Sequence, residues 1–259
     1  VYAILRVHGL VFGPEAGPAA SLLAPWLLPL GLATMLVATL GVLASRELRR
    51  LLAHLVVLSA GTLVLALGID SEAATSSALY YALNSTLVGG GLFLLADLIA
   101  RQRGSARAML DEVQAVAQPA LLGSLFFVGM VGVAGLPPLA GFAAKLYILQ
   151  SAHEHPAVLW VFAVVLVSGL LVGVALSRAG SALFWRTGET RALAPQTTGL
   201  QAGAAAMLLF GAVALMLGAG PTTDFTRATA AQLTDRAAYV DAVMANLGLV
   251  PSPPPSGGS

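Results

Sequence analysis

Runs of about twenty apolar residues recur along this chain, and they constrain its fold more than any other feature. They occupy six segments, at about residues 25–44, 51–69, 77–100, 117–150, 157–177 and 199–219. An apolar stretch of about 20 residues crosses a lipid bilayer as an α-helix. The period-two alternation typical of strands is absent. The sequence therefore predicts an all-α polytopic membrane protein with six full transmembrane helices.

The composition supports this prediction and excludes several classes of protein. Of the 259 residues 58% are apolar and only 10% are charged, whereas soluble domains carry roughly 25% charged residues. A net charge of +1 gives no electrostatic basis for nucleic-acid binding. The absence of cysteine removes disulfides, iron–sulfur clusters and thiolate metal sites. No phosphate-binding glycine loop or metal-binding motif is present, so we expect neither a cofactor nor a metal.

The two ends of the chain differ from the middle. Residues 1–12 are apolar but too short to cross a bilayer, so we interpret them as the end of a transmembrane helix that begins before residue 1. Residues 221–259 begin as an amphipathic segment with helical spacing. They end in a Pro- and Gly-rich tail that we expect to be disordered.

Arginine is distributed unevenly among the predicted loops. Three Arg occur in each of the loops 45–50, 101–116 and 178–198. None occurs in the alternating loops 13–24, 70–76 and 151–156. Because Arg and Lys in short loops mark the cytoplasmic side, the first set is predicted to be cytoplasmic and the C-terminus extracytoplasmic.

The segment 117–150 is long enough for one interrupted helix or for two short spans. Two spans would invert the following helices and place the three Arg of 178–198 outside, so we favour one helix broken at the turn containing Gly135, Pro137 and Pro138. The prolines cannot donate hydrogen bonds, so carbonyls at 132–134 lose their partners. Such carbonyls persist at membrane depth only against protein or water, and the break should line a cavity.

Lys145 follows this break and is the only lysine, against twelve arginines. It has two interpretations. Its side chain can extend toward the membrane surface near Gln150, or it can be an ionisable group on an ion pathway. A buried lysine can release its proton near neutral pH, whereas arginine cannot. The choice of lysine therefore favours a proton-carrying role.

Three further polar residues interrupt apolar helices and are candidates for a proton path. Asn84 lies near the middle of its helix and could hold a water molecule, with Thr86 beside it. His54 could feed protons inward from the cytoplasmic interface. Each also has a structural interpretation. It is helix–helix hydrogen bonding for Asn84 and Thr86, and an interfacial packing role for His54.

Four segments together resemble the antiporter-like subunits shared by respiratory complex I and the multisubunit cation/proton antiporters. GLPPLAGFAAK at 135–145 resembles the family's broken helix and its lysine. SRELRRLLAHLVVLSAG at 45–61 resembles a second family segment. YYALNSTLVGGGLFLLADLI at 80–99 is most similar to the D-type subunits of the Mrp-type (Mnh, Pha) antiporters. VYAILR at 1–6 resembles the end of a helix that carries a lysine about one turn earlier.

The resemblance implies a fold of fourteen helices with two five-helix repeats of inverted topology. Residues 25–177 would form the second repeat, with its broken helix at 117–150, and residues 199–219 the last transmembrane helix. The first repeat would precede residue 1. The family has His where this chain has Asn84, and Asn cannot titrate, so a proton relay there would need water.

The implied function is that of a membrane subunit of a monovalent cation (Na+ or K+)/proton antiporter in a bacterial inner membrane. Its partners would be the other subunits of the complex, protons and cations, and Lys145 would lie on the proton path. One alternative is a proton-pumping subunit of a redox complex, such as complex I or a membrane-bound hydrogenase. Another is a scaffold subunit without transport of its own.

Overall fold

The computed structural model describes residue 7 and residues 20–104, 108–111, 115–185, 198–235, 239–240 and 243–244. Apart from residue 7, the partial helix predicted at 1–12 lies outside the described residues. The Pro- and Gly-rich tail lies outside them as well. Within the described part the structure contains eight helices and no sheet.

The eight helices are numbered here in chain order. They are α1 (Ala20–Ala44), α2 (Leu48–Gly68), α3 (Glu72–Gln102), α4 (Pro119–Ala134), α5 (Ala140–Ser151), α6 (Val158–Phe184), α7 (Gly199–Leu217) and α8 (Ala219–Thr234). By length and composition α1, α2, α3, α6 and α7 can each cross a membrane. Helices α4 and α5, of 16 and 12 residues, occupy the segment predicted as one interrupted span. The predicted all-α polytopic class is confirmed.

Helices α4 and α5 run in the same direction along α3, antiparallel to it. Going from the end of α3 toward its start, the neighbouring pairs are Leu92 with Gly129, Val88 with Gly132, Asn84 with Gly141, and Tyr80 with Tyr147. The partner residues advance steadily along α4 and then α5. The two helices therefore make one interrupted passage along α3, as the sequence predicts for 117–150.

Helices α1 and α2 form a tight antiparallel hairpin in which glycines allow close approach. Gly31 of α1 faces the backbone of Leu65, and Gly68 of α2 faces the backbone of Leu28. A Cβ atom on Gly31 would lie 2.5 Å from the Leu65 nitrogen. Small residues at helix crossings allow this packing in membrane proteins, where van der Waals contact contributes much of the association energy.

The Arg-rich loops that precede α2 and follow α3 meet at one end of the bundle. Asp97 accepts hydrogen bonds from Arg101 (2.6 Å), as its spacing predicts, and also from Arg49 (2.8 Å) at the start of α2. The backbone of residues 46–48 pairs with that of residues 108–110. These contacts place the first two arginine-rich loops at the same end of the molecule, in agreement with the predicted alternation.

Several helix boundaries differ from the prediction, and two of the differences place Arg178 and Pro221 inside helices. Arg178 was expected at the start of a loop, but α6 continues to Phe184, so Arg178 lies inside the helix. An arginine ends an apolar run without interrupting the backbone hydrogen bonds of a helix, and Ala and Leu among the residues that follow favour helix. Helix α8 begins at Ala219 and places Pro221 in its first turn, where a missing N–H costs no helical bond.

We expect Gly31→Ala to destabilise the protein, because overpacking a close contact typically costs about 1–3 kcal/mol. The matched control is Gly203→Ala on α7, where an added Cβ meets nothing within 4 Å. Thermal unfolding of both variants in detergent measures the difference. Equal melting temperatures for Gly31→Ala and Gly203→Ala would contradict the close packing of α1 against α2.

Candidate functional site

The candidate site begins where α4 ends. Gly135 adopts a left-handed conformation (φ 75°), which stops the helix. The N–H groups of Gly135 and Leu136 both donate to the carbonyl of Val131, each at 3.1 Å. The next two residues are Pro137 and Pro138, and neither has an N–H to donate.

The two prolines stand four residues after Val133 and Ala134, where helical N–H donors for those carbonyls would lie. Lys145 takes the place of the missing donors. Its Nζ donates to the carbonyl of Ala134 at 2.8 Å and to that of Val133 at 3.1 Å. The sequence predicts freed carbonyls beside Lys145, and the structure pairs two of them with its Nζ. The side chain reaches back toward the break and not toward Gln150.

Glycines surround the Lys145 side chain on two sides. A Cβ on Gly135 would lie 2.7 Å from the lysine Cδ, so Gly135 is required both by its φ angle and by this contact. Gly169 of α6 lies on the opposite side, where an added Cβ would be 3.5 Å from Nζ. The sequence analysis missed Gly169. The signal available was its spacing of four residues from Gly173, which is typical of a helix-packing face.

A cavity of about 740 Å³, here called the lysine cavity, lies between α4, α5 and α6. Ala134, Gly135 and Lys145 contribute to its wall, which is otherwise mainly aliphatic. The cavity extends along α6 as far as Ser177 and Arg178. The ammonium of Lys145 is therefore solvated by two backbone carbonyls beside an apolar space.

A second cavity of about 450 Å³, here called the asparagine cavity, lies on the other side of the end of α4. Its polar lining comes from Ser59, Tyr81, Asn84, Ser85 and Thr86. Gly132 and Val133 of α4 also line it. The last turn of α4 thus lies between the two cavities, and the Val133 carbonyl joins this turn to Lys145.

Asn84 is only 3% exposed, and its Oδ1 has no hydrogen-bond partner among the described residues. Thr86 lines the same cavity, but its hydroxyl donates to the Ala82 carbonyl of its own helix at 2.8 Å. Buried amide oxygens are normally hydrogen-bonded, because leaving one unpaired costs about 1–3 kcal/mol. The unpaired oxygen makes Asn84 the polar group in this cavity with the greatest need of a ligand.

His54 lies apart from both cavities. Its Nδ1 is 2.8 Å from the Arg50 carbonyl, and its ring packs on Gly41 of α1. Of the predicted residues, the structure thus brings Lys145 and the break together and places Asn84 and Thr86 in the neighbouring cavity. It does not bring His54 to either. Within the described residues no group of His, Asp or Glu has the arrangement of a metal site.

Comparisons with known proteins agree on one family. Residues 1–171 match the model of the NADH:quinone oxidoreductase/Mrp antiporter transmembrane family. The D-type subunit of a probable K+/H+ antiporter of Rhizobium meliloti is 32% identical over 90% of this chain and 48% of its own length. The D-type subunit of an Na+/H+ antiporter of Alkalihalophilus pseudofirmus is 28% identical over 94% and 48%. The chain spans about half the length of these relatives.

Two solved structures share the fold. In the membrane-bound sulfane sulfur reductase, an archaeal respiratory complex, the match has a TM-score of 0.79 at 20% identity, covering 92% of this chain and 47% of the other. In respiratory complex I from Thermus thermophilus the TM-score is 0.72 at 22% identity, with 88% and 49% covered. Together with the family match, these similarities identify the chain as a member of the NADH:quinone oxidoreductase/Mrp antiporter transmembrane family.

Proposed function

We propose that this chain is the proton-carrying part of the D-type subunit of a multisubunit monovalent cation/proton antiporter. The names of the curated relatives support this proposal. The observation that carries it is the pairing of Lys145 with two carbonyls freed by the helix break. Residues 25–177 would form one five-helix repeat, and 199–219 the last transmembrane helix. The remaining subunits of the complex would be its partners.

The site has the opposing forces that a proton carrier needs. The Val133 and Ala134 carbonyls, at the negative end of the α4 dipole, stabilise the charged ammonium. The aliphatic wall of the lysine cavity penalises the same charge. Because these effects oppose each other, a nearby charge can shift the lysine between its protonated and neutral forms. When Nζ loses a proton, the remaining N–H groups can still donate to the carbonyls.

The asparagine cavity would supply protons through water. Asn84 can orient water but cannot itself exchange a proton at physiological pH, so a relay through this cavity would run along water molecules held by Asn84 and the nearby hydroxyls. The cavity has several polar groups in an otherwise apolar wall and is large enough for several waters. The Thr86 side chain would line this path. His54 would stand outside it, at the predicted cytoplasmic end.

A second candidate is a proton-pumping subunit of a redox-driven complex, because the same fold occurs in the sulfane sulfur reductase and complex I structures. In that case electron transfer elsewhere in the complex would drive proton uptake and release by Lys145. The two candidates differ in their energy source. Inverted vesicles containing the whole complex distinguish them, since an antiporter moves protons when Na+ or K+ is added without an electron donor.

We expect Lys145→Ala and Lys145→Arg each to reduce cation-driven proton movement by about tenfold or more, equivalent to roughly 1.4 kcal/mol. Alanine removes the proton-binding group, and arginine keeps the charge but cannot release the proton. Fluorescence quenching of a pH dye in inverted vesicles measures the rate. Gln150→Ala serves as the control for assembly of the complex. Transport near the wild-type rate with arginine at position 145 would refute the proposal.

Asn84 gives a separate test of the water relay. Asn84→Leu should reduce transport strongly, because an apolar side chain of similar size removes the group that holds water in the cavity. Asn84→His should retain activity, since imidazole both binds water and exchanges protons. Thr39→Val on α1 is the matched control, because Thr39 is buried outside the asparagine cavity and its hydroxyl donates to the Met35 carbonyl of its own helix. Full transport by Asn84→Leu would exclude a path through this cavity.

The proposed orientation can be tested on α6, whose two ends should lie on opposite sides of a bacterial inner membrane. The chain contains no cysteine, so single cysteines are unambiguous labels. We expect Glu154→Cys to react with an impermeant maleimide in cells whose outer membrane is permeabilised, and Trp185→Cys to react only after lysis. The reverse pattern would place the C-terminus in the cytoplasm.

A further inference from the structure

A third cavity lies at the Arg-rich end of the bundle and adjoins the lysine cavity. This basic cavity, of about 810 Å³, is enclosed by the end of α1, the start of α2, residues 110–111 and the end of α6. Its polar lining consists of Ser45, Arg46, Asp111, Ser177, Arg178 and Ser181. Ser177 and Arg178 also line the lysine cavity. The aliphatic cavity and the charged one therefore adjoin at these two residues.

Arg178 lies inside α6. Its guanidinium group makes no salt bridge or hydrogen bond with any residue that the structure describes. The hydroxyls of Ser177 and Ser181, four residues apart on α6, have no such partner either. Arg46 has Asp111 as its neighbour at 4.0 Å, but both side chains are largely exposed and the pair is loose. Among the described residues that line the cavity, two guanidinium groups stand against one carboxylate, which is an excess of positive charge.

The apolar part of the site is a stripe along one side of α6. Leu166, Leu170 and Val174 line the lysine cavity and are 58%, 69% and 47% exposed. They recur every four residues, and Arg178 is the next residue in the series. Twelve residues of α-helix extend for about 18 Å, similar to the ~15 Å thickness of one leaflet of the hydrocarbon core. The distance from Leu166 to Arg178 therefore matches the length of one acyl chain with its headgroup.

We propose that this site binds an anionic phospholipid. Arg178 and Arg46 hold the phosphate, the hydroxyls of Ser177 and Ser181 donate to its oxygens, and one acyl chain lies along Leu166, Leu170 and Val174. Basic pockets between helices at the cytoplasmic side are typical sites for anionic headgroups. The excess positive charge favours a lipid with net negative charge over a zwitterionic one. The acyl-chain part of this site borders Lys145 in the lysine cavity, whereas its headgroup part in the basic cavity is separate from the proton path proposed above.

Binding would also affect the surroundings of Lys145. An acyl chain in the lysine cavity excludes water from that side of the ammonium. The two backbone carbonyls and the asparagine cavity then remain its polar contacts, so protons reach Lys145 from one side only. The lipid would therefore act as a seal against proton leakage.

Photocrosslinking in native membranes identifies the occupant. A photoreactive amino acid replaces Leu170 in the full-length subunit within its complex, and mass spectrometry identifies the adducts. The reference position is Met207 on α7, which is 74% exposed and distant in sequence from the stripe. We expect the share of phosphatidylglycerol and cardiolipin among adducts at position 170 to exceed that at position 207 by at least threefold.

Variants of the headgroup site complete the test. Arg178→Gln should lower the anionic share at position 170 to the level at position 207, and Arg178→Lys should retain most of the enrichment because it keeps the charge. Arg227→Gln on α8 is the control for a general loss of positive charge. Adducts to polypeptide, from the same subunit or a neighbouring one, would overturn the proposal. An anionic share equal to that at position 207 would also overturn it.

Discussion

The organisation of this molecule around the candidate site depends on the hydrogen bonds from Lys145 to the Val133 and Ala134 carbonyls. Unpaired backbone carbonyls in the hydrocarbon region cost several kcal/mol each, so a Pro-Pro break within a membrane helix needs a compensating donor. The Lys145 ammonium provides this donor, and the two carbonyls in turn stabilise its charge. The break and the lysine are therefore one structural unit, and removing either leaves the other without its partner.

This unit requires that backbones approach closely, which explains the glycines around it. Gly135 leaves room for the lysine stem, Gly141 brings the start of α5 against the Gly132 carbonyl, and Gly169 allows α6 to approach Nζ. Helix α3 then holds both halves of the broken helix in line, through contacts that extend from Leu92 to Tyr80. Close packing at the break leaves two cavities on its sides instead of one continuous channel.

The two cavities differ in their polarity, and this difference assigns them different proposed roles. The asparagine cavity carries an unpaired Oδ1 on Asn84 and several hydroxyls, which suits a chain of water molecules. The lysine cavity is aliphatic and ends at Arg178, which suits a lipid. A proton that reaches Lys145 from the first cavity would then be prevented from leaking into the second. Such one-sided access is a requirement for coupling proton movement to another process.

The amino-acid sequence was sufficient to predict the all-α membrane fold and the broken helix and to select Lys145 as a candidate, because apolar run length, missing proline donors and a single lysine are local properties. The direction of the Lys145 side chain, back to the break and not toward Gln150, was decided by packing across the break, which brings Val133 and Lys145 together. Helix packing also separated His54 from the cavities and placed Arg178 within α6 beside an aliphatic stripe. Those relations depend on contacts between helices distant in sequence, which hydropathy and charge patterns do not encode.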